Sequence, residues 1–290
     1  MENAIDNGVY LLSDHVHVLD KGFELFRLSY RQSDWDEADR IANHILSLAE
    51  RMYENKKKWD ELVIPLNQMI KRPLIYYFGY GYLAKSIVFQ KHGHFDLARE
   101  YIAKYADLGW YYNATDEDLE VIERFKGFAK ANRYAVDLLS GKKEILNEYI
   151  DFIHENEEEA LPGFITIFEA ANLNKWNVDE YYFNSITEKL EAFSELEDLG
   201  NRVYYVKLLN QLAIYNLGQR RYDVAINYIL DCLQVGATMD LDKEIIAIIG
   251  IFENLRKIAT TDQIVKYQTI LQGVYDEKSI SNYIYADDIS

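Results

Sequence analysis

Two histidines near the amino terminus form the most metal-like group in the chain. His15 and His17 are separated by one residue and flanked by Asp14 and Asp20. In a strand the two imidazoles would share a face and could chelate zinc, whereas in a helix they lie about 200° apart and cannot. The residues that follow have helical spacing, which favours the start of a helix. We therefore predict no metal site here.

Other residues whose types could take part in chemistry have simpler structural interpretations. Gly79 and Gly81 resemble the start of a phosphate-binding loop, but no third glycine follows at the required spacing, so they predict close packing against another helix. Cys232 falls at a small apolar position of a predicted helix, which indicates a buried, unreactive thiol. His92 and His94 lie in a predicted turn, and we expect them to be solvated.

The chain carries no familiar catalytic signature. The G-x-S-x-G, H-E-x-x-H, Walker A and paired-carboxylate patterns are all missing from the sequence. We therefore predict a protein that acts by binding, not an enzyme, and one that needs no cofactor and no metal.

The side chains that best suit a ligand stand one helical turn apart on two predicted helices. An asparagine amide offers donors and an acceptor to a peptide backbone, and a lysine or arginine can hold a carboxylate. A tyrosine adds an aromatic ring with a polar tip, and the chain has 24 of them. The predicted peptide-binding residues are Lys130, Asn132, Arg133, Lys207, Asn210 and Tyr80.

Helices must position these side chains, because turn-forming residues are scarce. The 290 residues include only 14 Gly and 3 Pro, about half of the ordinary share. Apolar residues recur with helical spacing between short polar breaks. An all-α fold follows. The predicted helices span 18–32, 35–55, 59–70, 73–91, 95–109, 116–139, 142–155, 159–173, 178–192, 200–217, 221–236, 240–257 and 261–275.

Charge and composition narrow the possible partners and compartments. The net charge is −17 and the densest basic run, 56–58, has three residues, so we predict no direct binding to nucleic acid. No apolar stretch reaches the roughly 18 to 20 residues that a membrane span needs, and the first residues lack a signal-peptide pattern. We expect a cytoplasmic protein that does not contact membranes.

A six-residue pattern recurs at three predicted turns, 33–38, 93–98 and 220–225. Each copy has a small or polar residue, a polar residue, an aromatic residue, Asp, any residue and Ala. This pattern resembles the tetratricopeptide repeat, whose second helix begins with an aromatic side chain and carries a small Ala that lets the paired helices approach closely. The resemblance implies a right-handed superhelix of antiparallel helix pairs built from degenerate repeats. It also implies that Lys207 and Asn210 face a concave groove.

Three further segments, 72–77, 100–108 and 128–134, look like the repeat domain of the Rap, Rgg, NprR, PlcR and PrgX group of Firmicutes regulators. The likeness covers most of residues 20–275. It implies the effector domain of a cytosolic regulator that binds a short signalling peptide in the groove and switches conformation. Most of that group carry an amino-terminal DNA-binding domain or a three-helix bundle. The repeat pattern here begins near Met1, so we expect either a fragment or a protein that acts only by binding.

An alternative function remains open, namely a scaffold or inhibitor that binds a folded partner without a peptide signal. We predict one helical-repeat domain over 1–290, with a lead-in at 1–17, repeats at 18–275 and a tail at 276–290. The tail is expected to cap the last helix pair or to occupy the groove.

The carboxy-terminal helices suggest a homodimer. The run 245–251 is apolar nearly all round its predicted helix, which indicates burial on more than one side. Many regulators of the group that the chain resembles dimerise through their last repeats. We therefore predict a homodimer that uses helices 240–257 and 261–275.

Overall fold

The computed structural model describes residues 19–59, 70–181, 186–237, 239 and 242–286. These residues form helices joined by turns and include no strand, which confirms the all-α prediction; the superhelical arrangement stays a prediction. The helices are α1 (19–31), α2 (Trp35–Trp59), α3 (Leu74–Lys91), α4 (Phe95–Ala106), α5 (Asp116–Leu139), α6 (Leu146–Glu155), α7 (Ala160–Asn174), α8 (Asp179–Tyr181), α9 (Thr187–Ser194), α10 (Leu199–Gly218), α11 (Tyr222–Gly236), α12 (Asp242–Leu255) and α13 (Thr261–Ala286).

The structure differs from the predicted helices at the carboxy terminus. The predicted helix 178–192 corresponds to α8 and α9, and residues 182–185 lie outside the described ones. Helix α13 continues to Ala286 instead of ending at 275. It passes Gly273, because a single glycine costs a helix only about 1 kcal/mol. Most of the predicted helix 59–70 lies outside the described residues.

Two further predictions concern parts of the chain that are not described. The histidine pair at 15 and 17 lies outside the described residues. The side chains of the predicted tail do so as well, although its backbone up to 286 belongs to α13. Among the described helices, none has both the length and the apolar composition that crossing a bilayer would require.

The chain divides into two compact units, Met1–Ser140 and Gly141–Ser290. A single continuous repeat array over both units stays a prediction.

The first unit stacks its helices in two layers. Helix α3 packs against α2 and α4, α4 packs against α5, and α3 also touches α5. Ring contacts from Phe23 on α1 to Tyr76 and Tyr80 on α3 place α1 beside α3. Helices α1, α3 and α5 therefore form one layer, and α2 and α4 form the other. Two helices of the first layer, α1 and α3, precede the repeat turns at 33–38 and 93–98.

The three predicted repeat turns share one backbone structure. Their first residues, Ser33, Gly93 and Arg220, have φ values of 54°, 75° and 60°. The next amide in each turn donates to a carbonyl five residues earlier, at 2.8 to 2.9 Å, which is the Schellman hydrogen bond that ends a helix. Four residues after each turn amide an alanine lies fully buried between the paired helices. These alanines are Ala38, Ala98 and Ala225.

The turn at Gly93 allows a test of backbone conformation alone. A Cβ at Gly93 would meet no atom within 4 Å, but the residue has a φ of 75°. Gly93→Ala should therefore lower the free energy of unfolding by about 1 kcal/mol, since L-residues pay for the left-handed region. Gly218→Ala is the matched control: its site is equally open but helical, so it should gain about 0.5 kcal/mol. Equal changes in urea titrations of the two variants would contradict this account.

The second unit is organised around α10. Helix α10 packs against α7 and α11, and α11 packs against α12 and α13. Asp179 on α8 is linked to the turn between α10 and α11. Its carboxylate accepts hydrogen bonds from the Tyr215 hydroxyl and the Arg221 guanidinium, each at 2.8 Å. Burial raises the pKa of the Asp179 carboxyl, but the hydrogen bonds from Arg221 and Tyr215 outweigh it and hold this pKa below its usual value.

Two sequence predictions fall in this unit. Cys232 is fully buried, and burial raises the pKa of its thiol to about 12, which confirms the prediction of a buried thiol. On α12, Ile248 and Phe252 are buried, whereas Ile246 is 68% exposed. The homodimer through α12 and α13 stays a prediction.

Candidate functional site

The first unit displays a surface on which arginines surround aromatic rings, and we call it the arginine–aromatic surface. Helical spacing builds it: Phe23 and Arg27 are one turn apart on α1, and Tyr76 and Tyr80 are one turn apart on α3. The remaining members stand just before α3 and on α5. The surface consists of Phe23, Arg27, Arg72, Tyr76, Tyr80 and Arg124.

The three rings of this surface are half-buried and touch one another. Tyr76 and Tyr80 are stacked, with centroids 6.0 Å apart and planes within 9° of parallel. Phe23 lies against both, at 6.1 Å from Tyr76 and 4.6 Å from Tyr80. The rings thus form a continuous platform, and aromatic contacts of this kind contribute about 0.5 to 1.5 kcal/mol each beyond burial.

Arg72 joins this platform to a buried carboxylate. Its guanidinium lies 4.6 Å from the Phe23 centroid and 5.2 Å from that of Tyr76. A guanidinium nitrogen also lies 3.5 Å from a carboxylate oxygen of Asp20. Asp20 is 7% exposed and accepts a hydrogen bond from the hydroxyl of Tyr77. Because Asp20 is held beneath the platform, it fixes Arg72 at its edge.

The charges of three arginines act on the Tyr76 phenol. Burial raises the pKa of the Tyr76 phenol, while the charges of Arg72, Arg124 and Arg27 act in the opposite direction. The Arg27 guanidinium also lies 5.8 Å from the Phe23 centroid. Two cations, Arg27 and Arg72, therefore lie against the Phe23 ring. The charge of Arg124 also acts on Tyr76, in a chain whose net charge is −17.

A glycine contact holds α5 against this surface. The Phe125 ring of α5 lies where a side chain of Gly79 would be, since a Cβ there would come within 2.4 Å of it. The Leu46 side chain of α2 occupies the corresponding space at Gly81. Both contacts confirm the predicted close packing. The contact sets Phe125 against Tyr76 of α3, with ring centroids 5.8 Å apart, whereas Arg124, the residue before it, is exposed about 100° around the axis of α5.

The sequence-predicted residues of the first unit occupy different faces. Tyr80 belongs to the arginine–aromatic surface. Lys130 and Arg133 are exposed on α5, about 120° and 180° around the helix axis from Arg124. Asn132 is half-buried and lies beside the Tyr105 hydroxyl without forming a hydrogen bond to it. The structure therefore does not gather these four residues on one face.

The two predicted residues of the second unit lie on α10. Lys207 and Asn210 are both half-buried. Cavities of about 350 and 630 Å³ occur in this unit, at the α7–α8 turn and beside the α9–α10 turn, and neither is lined by Lys207 or Asn210. Their role in a peptide groove stays a prediction.

Sequence reasoning missed five of the six residues of the arginine–aromatic surface. Two signals were present in the sequence: Phe23 with Arg27, and Tyr76 with Tyr80, each at a spacing of four residues. Neither signal indicates that the two pairs meet, because that depends on how α1 and α3 pack. Arg124 has no local signal at all.

No described group of residues suggests a metal. Within the described ranges, no three His, Cys, Asp or Glu side chains are placed to hold an ion. His92 and His94 are exposed in the α3–α4 turn, as predicted.

Comparisons with known proteins give no identification. The chain matches no family model, and no similar protein was found among curated proteins or among solved structures.

Proposed function

We propose that the chain binds a short peptide on the layer formed by α1, α3 and α5. The observation that carries this proposal is the platform of Phe23, Tyr76 and Tyr80 with its surrounding arginines. Half-buried rings offer apolar area together with hydroxyl groups, a combination that is enriched where proteins bind partners. Helices α1 and α3 of this layer precede repeat turns, and the first helix of each pair is the one expected to face ligands in the repeat family that the sequence resembles.

The small extent of the platform favours a peptide over a folded partner. Three rings in contact cover one patch on two neighbouring helices, whereas a standard protein interface takes about 800 Å² from each partner. An extended peptide can combine side-chain contacts on such a patch with backbone hydrogen bonds. In this proposal the chain serves as the effector domain of a cytosolic regulator, whose conformation the bound peptide changes.

The proposal predicts selective capture of peptides. The full chain is incubated with a pool of random hexapeptides, captured peptides are identified by mass spectrometry, and the affinity of one is measured by calorimetry. Tyr80→Ala should weaken that affinity about tenfold or more, because the ring contacts both Phe23 and Tyr76 and completes the platform. Tyr222→Ala is the control, because that tyrosine is 44% exposed and lies in the second unit. The Tyr222→Ala variant should bind the peptide with the affinity of the native chain. Failure to capture any peptide would contradict the proposal.

The same assay tests the residues predicted from sequence alone. If the peptide also reaches Asn210 and Arg133, replacing either with alanine should cost about 1 to 3 kcal/mol of binding free energy, the range for a hydrogen bond left half-made. Unchanged affinity in the double variant would confine the peptide to the arginine–aromatic surface.

A further inference from the structure

We propose that Arg27, Arg72 and Arg124 form a carboxylate-binding site, with the Phe23 and Tyr76 rings as its floor. The ligand group is a carboxylate of the bound peptide, at its carboxy terminus or on an acidic side chain. This inference deepens the proposed function and rests on it for the identity of the ligand as a peptide.

The three guanidinium groups reach the site from three separate parts of the unit. Arg27 comes from α1, Arg72 from the residue that precedes Pro73 at the start of α3, and Arg124 from α5. Two of them contact the same ring, since Arg72 and Arg27 lie 4.6 and 5.8 Å from the Phe23 centroid. Guanidinium groups repel one another, so an anion bound between Arg27 and Arg72 would be stabilised by both charges.

The positive charge of the site is largely uncompensated. Asp20 is the carboxylate that contacts Arg72, and it is shared with the Tyr77 hydroxyl beneath the surface. Glu24 and Glu120 stand one turn before Arg27 and Arg124, but among the described residues neither arginine has a carboxylate within 4.0 Å. The carboxylate contact at this site is that of Asp20 with Arg72, so a bound carboxylate would give Arg27 a partner.

The surroundings favour a carboxylate over a polyanion. Arginine matches a carboxylate with two parallel hydrogen bonds, and flat rings beneath it accommodate the planar group. The net charge of −17 repels a nucleic acid at long range. A single carboxylate on an otherwise apolar peptide meets little of this repulsion and gains the platform contacts.

Arg72 is the best ordered of the three arginines by its contacts, and Asp20 acts as its positioning residue. The guanidinium is held by Asp20 on one side and by the Phe23 and Tyr76 rings on the other. Replacing Arg72 would leave Asp20 buried without its cation and would destabilise the fold. The more exposed Arg27 and Arg124 are therefore the better positions for a binding test.

The test uses the full chain labelled with [¹⁵N]arginine and follows the side-chain Nε–H signals by NMR. The probes are N-acetylphenylalanine, its amide and inorganic phosphate. The acid should shift the signals of Arg27, Arg72 and Arg124 in a saturable manner, and the amide should not. The Arg40 signal is the internal control, because Arg40 lies on α2 and is paired with Glu37. Arg27→Gln should weaken binding of the acid about five- to tenfold, because the Arg27 guanidinium lies against the Phe23 ring, whereas Arg40→Gln should leave it unchanged.

The outcomes separate this inference from the proposed function. Equal shifts with acid and amide, or saturable shifts with phosphate alone, would overturn the carboxylate site. If the peptide pool yields ligands that bind equally well when amidated and stripped of acidic residues, peptide binding stands and the carboxylate site fails. If the acid binds at the three arginines but the pool yields no peptide, the carboxylate chemistry is supported and the proposed function fails.

Discussion

Replacing Ala98 with leucine should lower the free energy of unfolding by about 2 to 3 kcal/mol. Ala98 is fully buried at the point where α3 and α4 approach each other. Three extra carbon atoms there must displace neighbouring side chains or separate the hairpin, and overpacking of this kind typically costs 1 to 3 kcal/mol. Urea titration followed by circular dichroism measures the change.

The neighbouring residue provides a matched control. Leu97 precedes Ala98 on α4 and is 41% exposed, so Leu97→Ala should change the free energy of unfolding by less than about 1 kcal/mol. If the two variants are equally destabilised, the buried alanine does not set the spacing of the hairpin. The repeat interpretation of the turn would then lose its physical basis.

The repeat turns show what the sequence could predict. The aromatic residue and the alanine three positions later predicted both the place of each hairpin and the burial of Ala38, Ala98 and Ala225. The left-handed backbone conformation of the first turn residue could not be predicted for all three turns, because only Gly93 has a residue type that favours it. Ser33 and Arg220 adopt the same φ without that signal, since the hydrogen bonds that close the turn stabilise the conformation locally.

The candidate site was harder to predict than the helices that carry it. Helical spacing correctly places Lys130 and Arg133 near each other on α5, but spacing alone does not show which face of α5 meets α3. That orientation depends on a contact between residues far apart in the sequence, Phe125 against Gly79. It sets Phe125 against Tyr76, with ring centroids 5.8 Å apart, and leaves Lys130 and Arg133 exposed on α5. Long-range packing of this kind leaves no periodic pattern in a single sequence.

The contact between Gly79 and Phe125 connects the fold to the site, and Gly79→Ala should disturb both. The new Cβ would come within 2.4 Å of a ring that is 1% exposed. This ring has little freedom to move, because Tyr76, Tyr105 and Phe128 surround it at 5.7 to 6.1 Å between centroids. We expect the free energy of unfolding to fall by about 1 to 3 kcal/mol, despite the gain that alanine usually brings to a helix.

Gly127→Ala on α5 separates packing from helix propensity. No atom lies within 4 Å of a Cβ at Gly127, so this variant should gain about 0.5 to 1 kcal/mol. A smaller side chain at position 125 should relieve the clash with a Cβ at position 79. We therefore expect Phe125→Leu to lower the free energy of unfolding by less in the Gly79→Ala background than in the native chain. Additive effects in this double-mutant cycle would show that the two residues do not press on each other. Phe125 would then owe its place against Tyr76 to other contacts of α5.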